Sequence, residues 1–201
     1  MEFYFLLCMQ DGKYTQAANV FLQVVNHPRF KRVGEYRREK WRIFHAYLHY
    51  IFEVKDLDKN LLQNKYIHGF NVVQFLSNTP IASKDKTGLN VAILVLQIQY
   101  LFKEHQTTQI FDKTDALSMY AYRYLNKKEN SRAYTYIRLL LAAEKEGFVY
   151  SKVAVKTRKY IQKLRGELDS YSAEWEILPY EILWEQALSF MKTEDMQPVR
   201  R

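Results

Sequence analysis

The spacing most suggestive of chemistry is that of His45 and His49, one helical turn apart, with Glu53 a further turn on. Two imidazoles and a carboxylate on one helix face are ligand types that suit a divalent metal. One helix alone rarely completes a metal shell, however, and the sequence has no second cluster of His and Asp. The same residues border an aromatic stripe of Trp41, Phe44, Tyr47 and Tyr50, so packing accounts for them and no metal is assigned. Asp56 with Asp58, and Asp112 with Asp115, have the residue type for acid–base work. Both pairs fall in links or near helix starts, where Asp ordinarily caps backbone N–H groups. There is no glycine-rich phosphate loop, nucleophile elbow or zinc-protease pattern. The chain is therefore expected not to be an enzyme, with no catalytic residue and no cofactor.

Charge is the more informative chemistry. The chain carries 30 Lys and Arg against 22 Asp and Glu, a formal net charge of +8, which favours acidic partners and says nothing of fold. Residues 29–42 hold Arg29, Lys31, Arg32, Arg37, Arg38, Lys40 and Arg42 against Glu35 and Glu39. Cations at a helix start oppose its dipole, so they have no evident stabilising purpose there. Arginine forks suit carboxylate or phosphate. Arg37, Arg38, Lys40 and Arg42 are the expected anion contacts, set against the plainer alternative of a solvated loop and helix start. A second feature is Lys152, Lys156, Lys159 and Lys163 at i, i+4, i+7 and i+11, one face of one helix, with Ala154, Thr157, Ile161, Leu164 and Leu168 opposite as core. Such a stripe can follow a phosphate backbone or simply be an exposed face. Tyr120, Tyr122, Tyr124, Tyr134 and Tyr136 offer large rings with few torsions, suited to an interface or to packing between helices with wet hydroxyls.

These groups need elements to position them. Only 6 Gly and 4 Pro occur in 201 residues, too few for the tight turns of a β-rich fold. The spacing predicts helices over residues 34–52, 70–76, 89–102, 107–125, 131–146 and 151–168, and one beginning at Pro179. Trp41, Phe44, Leu48 and Phe52 form the stripe of the first of these. Residues 89–102 are apolar nearly all round, which places that helix at the centre. At about 14 residues it is short of the roughly 20 a membrane span requires. Asn130 or Ser131 and then Ser151 are the expected caps, and residues 77–80 should stop the second helix. The single cysteine, Cys8, fits a reducing compartment, and a cytoplasmic location is expected. Residues 3–7 read as helix with no cap before them, as in a fragment of a longer protein or a helix lacking a partner on one side.

One stretch resembles a known family. Gly12, Tyr14, Ala17, Phe21 and Val24 stand at the spacings of the second half of a tetratricopeptide repeat. Gly12 permits the turn, Ala17 lets the helices approach closely, and Phe21 and Val24 continue the face. Pro28 ends the helix one position early, and Met1 stands where the repeat places a large aromatic. Residues 34–52 again resemble a first repeat helix, but no second half follows at the expected distance. Residues 177–185 and 83–92 are similar to segments of uncharacterised bacterial helical-repeat proteins. The resemblance implies an all-α fold of antiparallel helix pairs stacked as an irregular α–α superhelix, taken as one domain over residues 1–201. The concave surface of such an array, together with the net charge of +8, leads to the expectation of a non-catalytic scaffold that binds a peptide or partner helix, preferably acidic. A nucleic-acid-linked regulatory protein using the lysine stripe is the alternative.

Overall fold

The computed structural model describes residues 1–55, 57, 64–78, 89–124, 131–166 and 176–192. Among them all regular structure is helical, with no strand and no helix long and apolar enough to cross a membrane. By packing, the chain divides into two compact units, Met1–Pro80 and Ile81–Arg201.

In the first unit, α1 (Glu2–Gln10) and α2 (Tyr14–Val25) form a tight hairpin packed on α3 (Glu35–Lys55). Phe5 of α1 stacks on Phe44 at 4.7 Å and meets Trp41 edge-on at 5.6 Å. Fully buried Ala17 and Ala18 on α2 let the backbones approach, and Phe21 fills the space beside Trp41. Cys8 is buried, its Sγ 3.9 Å from Gln16 Oε1. The α1–α2 turn depends on Gly12, whose φ of 72° lets Lys13 N donate to Cys8 O at 2.8 Å. An alanine Cβ there meets nothing closer than 3.9 Å, so only the left-handed backbone opposes it. Gly12→Ala is expected to cost about 1 kcal/mol in urea unfolding; an unchanged midpoint would remove the turn's role.

A 3-10 turn (Pro28–Arg32) follows, opened by His27 Nδ1 accepting from Arg29 N at 3.2 Å. Gly34 caps α3 through its carbonyl, which accepts from Arg37 and Arg38 N. The expected stripe on α3 is buried, together with Tyr47, Tyr50 and Ile51. Two short helices then lie within 64–78: α4 (Lys65–His68), started by Asn64, and α5 (Val72–Asn78), capped by Asn71 Oδ1 from Gln74 N at 2.8 Å. The expected helix over 70–76 thus begins two residues later, because Asn71 supplies the cap. Residues 79 and 80 of the expected stop lie outside the described residues.

In the second unit, α6 (Leu89–Lys103) is buried at every position from Leu89 to Phe102, as its unbroken apolar run predicts. It packs against α7 (Thr107–Tyr124) and against the last helix, α10 (Tyr180–Lys192). Between them, α8 (Ser131–Lys145) and α9 (Tyr150–Gly166) form a hairpin. Its link holds Gly147 and Phe148 at φ of 61° and 57°. The strain at Phe148 is offset by its buried ring, which packs on Phe102 at 5.4 Å and Phe111 at 5.1 Å. The helix starts at Tyr150, so Ser151 is within its first turn and not its cap; Val149 O accepts from Lys152 and Val153 N instead. Likewise Pro179 precedes α10, its carbonyl accepting from Ile182 and Leu183 N. Asn130, Leu125, Leu168 and residues 83–88 lie outside the described residues.

Candidate recognition surface

Of the expected contacts at the start of α3, Lys40 turns inward, while Arg37 and Arg42 are exposed and Arg38 is half-buried. Lys40 is buried: its side chain is 7% exposed, with Nζ 3.2 Å from Glu2 Oε2 and 5.9 Å from the Phe44 ring centroid. Arg38 spends one donor on Lys31 O at 3.2 Å. Arg42 lies one turn beyond Arg38, interleaved with Glu35 and Glu39, whereas Arg37 projects about 100° away around the helix. The helix turn thus keeps Arg38 and Arg42 on one face and sets Arg37 beside it.

His45 and His49 serve the packing of residues 64–78. His45 Nε2 lies 3.0 Å from Ile67 O, and since a carbonyl can only accept, Nε2 carries the proton. Its ring stacks on Phe21 at 4.9 Å and meets Phe70 at 5.2 Å. Burial pushes its pKa down to about 4; the neighbouring His49 acts in the same direction, and the Ile67 carbonyl opposes both. His49 also packs on Phe70 at 5.2 Å, with Nδ1 3.6 Å from Glu53 Oε2. No group of three or more metal-ligating side chains occurs among the described residues. Asp112 and Asp115 are exposed on α7, while Asp56 and Asp58 lie outside the described residues.

The tyrosines divide by role. Tyr120 and Tyr124 pack together at 5.0 Å, and Tyr122 is 88% exposed. Tyr134 donates to Ala121 O at 2.8 Å. Tyr136 is buried, receives Gln99 Nε2 at 2.7 Å and stacks on Tyr180 at 4.5 Å. Burial raises its pKa well above the ordinary phenol value.

The lysine stripe survives in three dimensions. Lys152, Lys156, Lys159 and Lys163 are all exposed on α9, which contains no Asp or Glu. Opposite them Val153, Thr157 and Leu164 are buried; Ala154 and Ile161 are half-buried, displaced toward the edge of the core. Two contacts fix which edge of α9 the stripe occupies. Lys156 Nζ reaches Glu146, just past the end of α8, at 3.9 Å. The Tyr160 ring carries Lys159 Nζ at 5.1 Å on one side and the α8 guanidinium of Arg138 at 5.9 Å. The stripe therefore borders α8. Arg165 marks the other edge, 3.6 Å from Glu185 of α10. Sequence reasoning missed the α8 contribution: Arg138 and Lys145, two turns apart and both exposed, add a second basic row beside the first.

It also missed a buried charge cluster. Arg132 on α8 donates to Glu176 through Nε at 2.8 Å and Nη2 at 2.7 Å, to Glu181 at 2.8 Å, and to Leu164 O at 2.5 Å. Burial alone would lower its pKa, but the two carboxylates outweigh that and raise it. Glu176 Oε1 also accepts from Tyr180 N at 2.9 Å, which ties the start of α10 to α8 and α9. A signal was present in Arg132 itself, which stands in the apolar stripe with Tyr136, Leu139 and Ala143.

Comparison with family models, with curated proteins and with solved structures gives no match for this chain.

Proposed function

We propose that this chain is a non-catalytic recognition protein, built of tetratricopeptide-like helix pairs in an irregular α–α superhelix, that binds an acidic segment of another protein. The observation that carries this is the one-signed face of the α8–α9 hairpin, where Arg138, Lys145 and the four lysines are balanced nearby by Glu146. Like charges grouped in this way repel one another, and an anionic partner that docks against them relieves that repulsion. The resemblance over residues 11–24 supports the scaffold reading.

The absence of any acidic residue on α9 favours a second reading, a nucleic-acid-linked protein whose stripe follows phosphates. The two separate in one experiment: fluorescence anisotropy of a labelled glutamate-rich peptide, a duplex DNA and a single-stranded RNA at about 50 and 200 mM salt. Micromolar binding of the peptide with weaker nucleic-acid binding is the expected result. Nucleic-acid binding that falls with a log–log salt slope of about −0.9 per phosphate neutralised supports the second reading. No binding of any probe at low salt would sink both.

A further inference from the structure

We infer that the acidic segment binds as a helix lying along the groove between α8 and α9, its carboxylates in register with two basic rows. This deepens the proposed function and rests on it. The hairpin is antiparallel, because Arg138 meets Tyr160 while Arg132, further back on α8, meets Leu164, further on along α9. Its two rows therefore run side by side, separated by the 8–10 Å typical of packed helices. On α9 the lysines rise by about 6, 4.5 and 6 Å along the axis, a straight line of about 16 Å. On α8, Arg138 and Lys145 are about 10 Å apart along theirs. A helix with carboxylates at i, i+4, i+7 and i+11 reproduces the α9 ladder with the same rise. Beside the α9 row lies the half-buried Tyr160 ring, packed against Arg138 of α8, a surface on which a small apolar stripe of the guest packs.

A nucleic-acid strand fits the same floor poorly. Bases need an open aromatic face, and the Tyr160 ring beside the lysine row is half-buried and already met by Arg138 and Lys159. Arg158 and Arg165, whose forks suit phosphate, project from the far edge of α9, about 130–150° from the centre of the lysine row. Charge complementarity combined with helical spacing thus selects an acidic helix.

The test uses the full chain and two labelled, capped alanine-rich peptides of about 18 residues, long enough to take up helix. One carries Glu at i, i+4, i+7 and i+11; the other has the same composition scrambled. Duplex DNA is the third probe, all at about 50 mM salt. The patterned peptide is expected to bind at least about fivefold more tightly than the scrambled one and to gain helical circular dichroism on binding. K156E/K159E, exposed positions that leave the core intact, is expected to weaken it on the order of tenfold. K159Q provides a milder variant, and far-ultraviolet circular dichroism checks that each variant folds. Equal binding of both peptides, or loss of binding in R37E/R38E but not in K156E/K159E, overturns the groove and its register while the acidic-partner function stands. Tighter binding of DNA than of either peptide, or no peptide binding at all, overturns both.

Discussion

Replacing Arg132 by alanine is expected to destabilise the second unit by about 3–5 kcal/mol. The guanidinium neutralises Glu176 and Glu181 in a site where its own side chain is 8% exposed, and it satisfies Leu164 O besides. Without it, two carboxylates face each other in a poorly hydrated pocket and a backbone carbonyl loses its donor. Arg132→Lys should recover little, since a single ammonium cannot reach three acceptors in the geometry that the planar fork supplies. The triple change Arg132→Met, Glu176→Leu, Glu181→Leu should recover a large part of the loss, because buried ion clusters can be exchanged for apolar groups at small net cost. Urea unfolding followed by circular dichroism measures all three. A loss below about 1 kcal/mol for Arg132→Ala would place the cluster with ordinary surface pairs.

The second large effect concerns acid. His45 is neutral in the folded chain, with a pKa of about 4 against an ordinary 6.5 when unfolded. A base whose pKa is lowered by folding stabilises the fold fully above the unfolded value. As pH falls from 6.5 to 4 the unfolded chain takes up a proton that the folded chain refuses, and stability declines until both forms are protonated. The difference of about 2.5 pKa units corresponds to about 3 kcal/mol. His45→Gln keeps a donor for Ile67 O and removes the titration. Between pH 7 and pH 4 the wild-type unfolding midpoint should fall more steeply than that of the variant, as the carboxylates titrate in both. Parallel curves would show that the imidazole opens to solvent before it protonates.

Both residues show what the sequence could and could not reveal. The helices were legible because their signals are local: the unbroken apolar run of α6, the Trp41–Phe44–Leu48–Phe52 stripe and the glycine turn at Gly12 each need only a few neighbouring residues. The lysine row was legible for the same reason, since i, i+4, i+7 and i+11 lie on one helix whatever the rest of the fold does. The second basic row was not, because Arg138 and Lys145 join it only through the hairpin. Lys40 reads in the sequence as an anion contact within a basic run; in the fold it is buried beside the Phe44 ring, and its partner, Glu2, is far back in the chain. Arg132 and its carboxylates are separated by 44 and 49 residues, and His45 from the Ile67 carbonyl by 22. No periodicity marks such pairs.

Cys8 gives the first unit a clock. Its sulfur is shut between α1 and α2, so a thiol reagent in water can react only during excursions that part the helices. When reclosing is fast, the reaction rate divided by that of an unhindered thiol is the fraction of time the hairpin stands open. One atom, already in the chain and needing no label, therefore converts chemistry on the bench into the opening free energy of a single hairpin. The same ratio, followed as a destabilising change such as Gly12→Ala is introduced, would register how far that change loosens the hairpin.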